Sequence, residues 1–222
     1  SVSSTVEQVG APGRQWASLA IAACAVFIVV LALLHFLRPD LNPMADSVSD
    51  YLVGAYGRLM LIAFVGLGVG HIALGLAFLN AYPSHLRSTV GVVLLVISGL
   101  AAIVSGIFPG LWPEADAAPL AQWSELSGSI HDLVGLLGFL TGVTAANLLS
   151  NRLRKAGFLS GSYRALVWLA RVIPLIFLFM LFFAGSLGIP GLVGRIFVVG
   201  VLSWVILASI GIRSGAITNG QR

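Results

Sequence analysis

The chain has 222 residues, of which 58% are hydrophobic and 9% charged, and its mean hydropathy is +1.01. Soluble domains carry about 25% charged residues, so too few polar side chains are present here to cover a water-soluble surface, and a single Cys with glycines of no fixed period excludes disulfide and collagen scaffolds. Twelve Lys and Arg against eight Asp and Glu give a net charge of +4, but the cations stand singly or in one short cluster with no interleaved aromatics, which points to topology-setting charge beside anionic lipid and not to nucleic acid.

A bilayer core takes about 20 apolar residues per helix, and six stretches qualify. After a polar tail over 1–15 comes 16–37, too long for a signal-peptide core and expected as a retained first span. Cys24 within it reads as a small buried hydrophobe. The connection 38–57 is long and acidic. Span two, 59–82, carries His71, and a short turn with Pro83, His85 and Arg87 leads to span three, 88–108. A second long connection, 109–127, leads to span four, 128–150, with His131 and Asp132 in its first turn. The cationic linker 151–171 is expected to lie partly along the membrane surface. Span five, 172–189 or starting nearer Arg164, and span six, 193–212, follow as a hairpin, and 213–222 is a polar tail. The expected fold is all-α: a polytopic membrane protein, six transmembrane helices in one bundle over 16–212 between two short tails.

Arg14, Arg87, Arg152, Arg154, Lys155, Arg164, Arg213 and Arg222 all fall on one side of this topology. The positive-inside rule makes that side the cytoplasm and places both termini there, in a bacterial cytoplasmic membrane. Arg38, Arg58 and Arg195 fall on the other side. So do Asp40, Asp46, Asp50, Glu114, Asp116, Glu125 and Asp132, which leaves only Glu7 inside. Two readings account for this asymmetry: wet, acidic outer loops, or a polar outward-facing site.

Span four is the most informative helix. Gly128, His131, Gly135, Gly138, Gly142 and Ala145 recur in steps of three and four, so they share one face. Small residues let neighbouring helices approach, and an imidazole on that stripe points into the bundle. It is read either as a hydrogen-bonded interior histidine or as a general acid or base, oriented by Asp132, with Glu125 seven residues before Asp132 on roughly the same side. In the first outer loop Asp46 or Ser47 can cap a short helix, with Asp50 one turn on, its carboxylate on the same face as that of Asp46. Ser49 and Tyr51 stand beside them as ligand-binding candidates. His71 lies about 21 Å below the start of span two, beyond the midplane and far from the outer cluster. An ionisable group at that depth is a functional candidate by default, unless it is a neutral histidine bonded to a serine such as Ser98 or Ser105. Arg195, opening span six, is expected to pair with Asp132 or Glu125. No His-x-x-x-His spacing and no Cys pair is present, so neither metal nor cofactor is expected, and the unequal depths of His71 and His131 argue against a haem pair.

The segment Ser47-Val48-Ser49-Asp50-Tyr51-Leu52-Val53-Gly54-Ala55-Tyr56-Gly57, entering a glycine-rich span, resembles the first signature of the bacterial domain of unknown function family 998. Gly106-Ile107-Phe108-Pro109, a loop, and then Ser127-Gly128-Ser129-Ile130-His131 resemble the second. In this chain Gly110-Leu111-Trp112-Pro113 stand between Phe108-Pro109 and the acidic Glu114. The resemblance runs from about Val26 to Leu207 and implies a six-helix membrane bundle with both signatures on the outer side; it implies no activity. Three functions therefore stand: a bundle whose outward pocket, with His131, Asp132, Asp46 and Asp50, binds or processes a lipid-like or other hydrophobic molecule; a non-catalytic subunit or assembly factor partnered with other membrane proteins; and a proton or small-solute transporter working through His71. Membrane lipids are the expected partners and nucleic acid is not.

Overall fold

In the computed structural model the described residues are 10–84, 87–110 and 118–217, with the backbone alone at 109–110 and 118–124. Glu7, His85, Glu114 and Asp116 lie outside the described residues. Six helices make up the bundle: α1 Ala11–Leu37, α2 Gly57–Ala81, α3 Thr89–Gly110, α4 Ala118–Lys155, α5 Ala165–Phe179 and α6 Pro190–Ser214. A single π turn, Met180–Ala184, extends α5, and short 3-10 turns occupy Val48–Leu52 and Gly161–Arg164. Among the described residues there is no strand. All six helices are long and apolar enough to cross a membrane, the fifth when counted over Gly161–Ala184. The chain is therefore a multi-pass, all-helical membrane protein, as its hydropathy requires.

Consecutive helices pack as antiparallel neighbours, and α1 also packs on α6, so the six close into a ring. One end of the bundle carries the 38–56 connection, the start of α4 and the turn between α5 and α6. It is called the mouth end here. The opposite end carries Arg87, Arg152, Arg154, Lys155 and Arg164.

Helix boundaries differ from expectation at three places, of which the largest is the start of α4, at Ala118 and not 128, so that the expected 109–127 connection is mostly helix and only 111–117 lie between α3 and α4. The 151–171 linker is not an interfacial segment: α4 runs on to Lys155 and α5 begins at Ala165, so only 156–164 connect them. The charges that disguise these helix ends sit on their last and first turns, where a cation reaches water from a helix that still satisfies its own backbone. Gly157, at φ 73°, makes the turn, and Phe158 stacks on Tyr82 with ring centroids 5.7 Å apart. The third difference is at α1, which starts five residues earlier, with Pro12 in its first turn, where its missing N–H leaves no bond unmade.

Two prolines shape the bundle more than any other residue type. Pro174 sits inside α5 and has no N–H to give the carbonyl of Ala170, four residues back. Asn147 of α4 donates its side-chain amide to that carbonyl at 2.5 Å. Pro109, near the end of α3, acts in the same way on Ser105. It also pushes the preceding residue out of the helical region, and Phe108 has φ −110° and ψ 111°.

Candidate functional site

The last turns of α3 create the site's chemistry. With Pro109 in place, the Ser105 carbonyl has no helical donor, and the Phe108 carbonyl lies beside it at the kink that ends α3. His131 of α4 fills the gap, its Nδ1 lying 2.7 Å from the Ser105 carbonyl oxygen and 2.8 Å from that of Phe108. Carbonyl oxygens only accept, so Nδ1 carries the proton. The Ser105 hydroxyl, 2.9 Å from Nδ1, donates in turn to the backbone oxygen of His131 at 3.2 Å. In the neutral ring Nε2 is then a bare lone pair, and among the described residues nothing bonds to it.

That imidazole lines a cavity of about 310 Å³ enclosed by all the helices of the ring and roofed by the 48–49 turn. The walls are mainly apolar, with Phe27, Phe64, Leu67, Phe139, Phe197 and Val201 among them. Polar side chains are few: Ser47, Ser49, His71, Ser98, Ser105, His131 and Asp132. This is the usual make-up of a small-molecule site, an apolar concavity with a handful of placed polar groups.

The small-residue stripe of α4 builds the wall beneath His131. A Cβ on Gly142 would stand 2.6 Å from the Ser98 hydroxyl, closer than a carbon and an oxygen can approach, so only glycine lets α3 come this near. Ser98 uses the approach to donate to the Gly138 carbonyl at 2.8 Å. Gly128, at the top of the stripe, has nothing within 4 Å of its would-be Cβ, so the close contact belongs to the lower part. On the other side Phe139, Phe177 and Phe197 meet edge to face and tilted, with centroids 4.9 to 5.7 Å apart.

The remaining predicted residues divide into groups. Asp132, exposed and without a hydrogen bond among the described residues, lines the cavity next to His131. Ser49 lines it from the roof. His71, expected far from this cluster, lines the same cavity from α2. Its Nδ1 lies 2.8 Å from the Leu67 carbonyl of its own helix, which again puts the proton on Nδ1. Neither proposed serine serves it, because Ser98 and Ser105 bond to α4.

Asp46 and Asp50 do not line the cavity, nor do they share a helical face. Asp46 precedes the 3-10 turn and accepts from the backbone N–H of Asn42 at 2.6 Å, while Asp50 accepts from that of Ser47 at 2.6 Å. Each carboxylate closes its own tight turn, so both are roof supports. Glu125 is exposed on α4 and outside the lining.

Arg195 does not reach Asp132 or Glu125. It donates to the backbone oxygens of Pro43, Asp46 and Gly191 at 2.8 to 3.0 Å, and its Nε donates to His35 Nε2 at 3.0 Å. The Tyr51 hydroxyl is 3.4 Å from it, and its guanidinium lies 5.7 Å from the Tyr51 ring centroid. Loop carbonyls outcompete a distant carboxylate because the fixed fork of a guanidinium matches several acceptors at once. His35, whose Nδ1 gives its proton to Leu31 at 2.6 Å, accepts as a neutral ring. Arg195, His35 and the fully buried Tyr51 thus form a latch that fastens the roof to α1 and α6.

Among the described residues no three His, Cys, Asp or Glu side chains gather as a metal set, and His35 is engaged by Arg195. Sequence reasoning missed the Ser105 and Phe108 carbonyls and the place of His35. The first had a signal: a proline four residues after Ser105 leaves that carbonyl without its donor.

The two segments that meet at His131, Gly106–Pro109 in the sequence and Ser127–His131, also carry the family resemblance. The family described as "Protein of unknown function (DUF998)" matches residues 21–211. The chain belongs to this family. No curated protein and no solved structure matches the chain. The match reaches into all six helices and includes every residue named as lining the cavity, and it assigns none of these residues a role.

Proposed function

We propose that the protein holds a hydrophobic, lipid-like molecule in the cavity, with a hydrogen-bond donor of that molecule on Nε2 of His131. One observation carries this reading. The Ser105 carbonyl that Pro109 frees and the Phe108 carbonyl beside it fix the His131 proton on Nδ1, leaving a basic lone pair without a partner among the described residues on a mainly apolar wall. The same lone pair is the base if the bound group surrenders its proton. Asp132 stands beside it as the one described carboxylate of the lining, and Ser49 as a roof hydroxyl. At about 310 Å³ the cavity is near the lower edge of ligand sites, which run from about 300 to 1,000 Å³, so it takes a headgroup or a chain segment and not an entire phospholipid. With the basic end in the cytoplasm, both termini are inside, the mouth opens on the outer leaflet, and the membrane is the bacterial cytoplasmic one.

The test is retention. The full chain is purified in mild detergent, and extracted small molecules are identified by mass spectrometry. Wild type is expected to carry one hydrophobic species at near-stoichiometric level, and His131→Ala to lose most of it. Equal retention by wild type and His131→Ala sinks the reading.

A further inference from the structure

The opposite end of the bundle carries a second concavity, about 550 Å³, between the start of α3, the last turns of α4 and the early turns of α5. Arg87, Arg152, Arg154, Lys155 and Arg171 line it, together with Ser88. Among the described residues no Asp or Glu lies at this end of the bundle. We propose that this groove binds the phosphate of an anionic phospholipid headgroup, a site separate from the cavity at the mouth.

Two side chains point to a ligand beyond the charge itself. Arg171 lies six residues into α5, about 9 Å along the helix from its start, and within the membrane-crossing stretch Gly161–Ala184. It has no hydrogen-bond or ion-pair partner among the described residues. A cation at that depth needs a counter-charge or a route to water, and Arg171 lines the groove. Arg87 is the second. One of its terminal nitrogens donates to the carbonyls of Leu79 and Tyr82 at the end of α2, at 2.9 and 2.6 Å, which fixes the guanidinium at the groove wall. Its Nε is buried and unpaired, and an unmade bond to a buried charged donor is expensive unless an acceptor fills it.

The position selects a lipid over a free ion. The groove lies where α2 and α4 end and where α3 and α5 begin, the level of the headgroups. Trp168, 67% exposed on the first turns of α5, matches the aromatic belt at that level. Leu148, exposed one turn and more below the α4 cations, continues the wall in apolar form, as an acyl chain beneath a bound phosphate requires. Guanidinium forks suit phosphate oxygens.

The experiment is a native mass spectrometry titration of the delipidated full chain with phosphatidylglycerol and, in parallel, with phosphatidylcholine of the same acyl chains. Wild type is expected to bind phosphatidylglycerol at least about tenfold more tightly, and Arg171→Gln or the pair Arg154→Gln with Lys155→Gln to weaken it about tenfold. Arg213→Gln removes a cation from the same end but outside the groove and is expected to leave binding unchanged. The α4 pair lies at an exposed helix end, so it keeps the question open to measurement if Arg171→Gln fails to insert. Equal binding of the two lipids, or equal weakening by Arg213→Gln, overturns the proposal. Inorganic phosphate is the third probe: binding of millimolar phosphate where phosphatidylglycerol does not bind overturns the lipid assignment. His131→Ala is expected to leave this titration untouched, which separates the groove from the cavity.

Discussion

Two joints of the bundle solve one problem with different side chains. At the α4–α5 joint Pro174 strips the donor from the Ala170 carbonyl, and Asn147 supplies an amide N–H. At the α3–α4 joint Pro109 does the same to Ser105, and His131 supplies an imidazole N–H. Both replacements come from α4, and both leave an acceptor over. Asn147 also bonds back to Val143 in its own helix, at 3.0 Å, and it does not line the cavity. His131 reaches across to two carbonyls and lines it. An amide is enough to mend a proline gap; the chain itself demonstrates that at 147. A basic nitrogen facing a mainly apolar cavity is therefore more than the α3–α4 joint requires, and the function proposed above is what would use that excess.

The largest expected effect breaks both joints. His131→Ala and Asn147→Ala each leave a buried carbonyl unpaired, at about 1–3 kcal/mol of stability apiece, read from thermal unfolding in detergent. The comparison sharpens with His131→Asn. If the imidazole proton only mends the joint, the amide restores most of the stability lost in His131→Ala and the bound molecule stays. The function proposed above expects stability to return and retention to remain at least about tenfold below wild type, the size of one lost hydrogen bond of about 1.4 kcal/mol. Return of both would make His131 a second Asn147.

A smaller effect comes from the prolines. Pro109→Ala restores an N–H that competes for the Ser105 carbonyl, so His131→Ala is expected to destabilise less on that background than on wild type. The same holds for Pro174→Ala with Asn147→Ala. Each double-mutant cycle should close with a coupling of about 0.5–2 kcal/mol. Additivity within about 0.3 kcal/mol in either cycle would mean that the side chain does not replace the missing backbone donor there.

How far these joints were readable from sequence follows from what hydropathy measures. Six apolar runs fix six spans because each must satisfy its backbone internally, and the α4 stripe from His131 to Ala145 is legible because steps of three and four have one geometric meaning. The start of α5 was legible only as an alternative near Arg164, since Arg164 and Arg171 also read as linker charge, whereas Arg164 precedes the first turn of α5 and Arg171 lies within the helix. Depth counting separated His71 from His131, yet one elongated cavity touches both, and no residue count along a single helix reports the shape of the space between helices. Asp46 and Asp50 were paired by assuming one helical turn. The turn begins after Asp46, and the two carboxylates cap different loops. Arg195 was assigned to acids because charge is visible in sequence, whereas the loop carbonyls it actually holds are carried by every residue and leave no mark.

The smallest effect lies at the rim, where Arg38 braces the roof loop. Its guanidinium donates to the Val53 and Ala55 carbonyls at 2.8 and 3.0 Å and to the Asp40 carboxylate at 2.7 to 3.1 Å. The hydrogen bond from Arg38 holds the Asp40 carboxyl below its usual range. A carboxyl whose pKa is lower folded than unfolded stabilises the fold above its unfolded value, near pH 4, and that contribution fades as the pH falls through the lowered folded value. Asp40 is exposed and its pair is screened by water and salt, so the difference in melting temperature between wild type and Asp40→Asn should be slight at pH 7 and vanish well below pH 4. It should also shrink as salt is raised at neutral pH. A difference that grows on acidification would mean that Asp40 is held by something other than Arg38. The roof would then rest on the Arg195 latch and the two carbonyl bonds of Arg38, with the surface ion pair adding nothing.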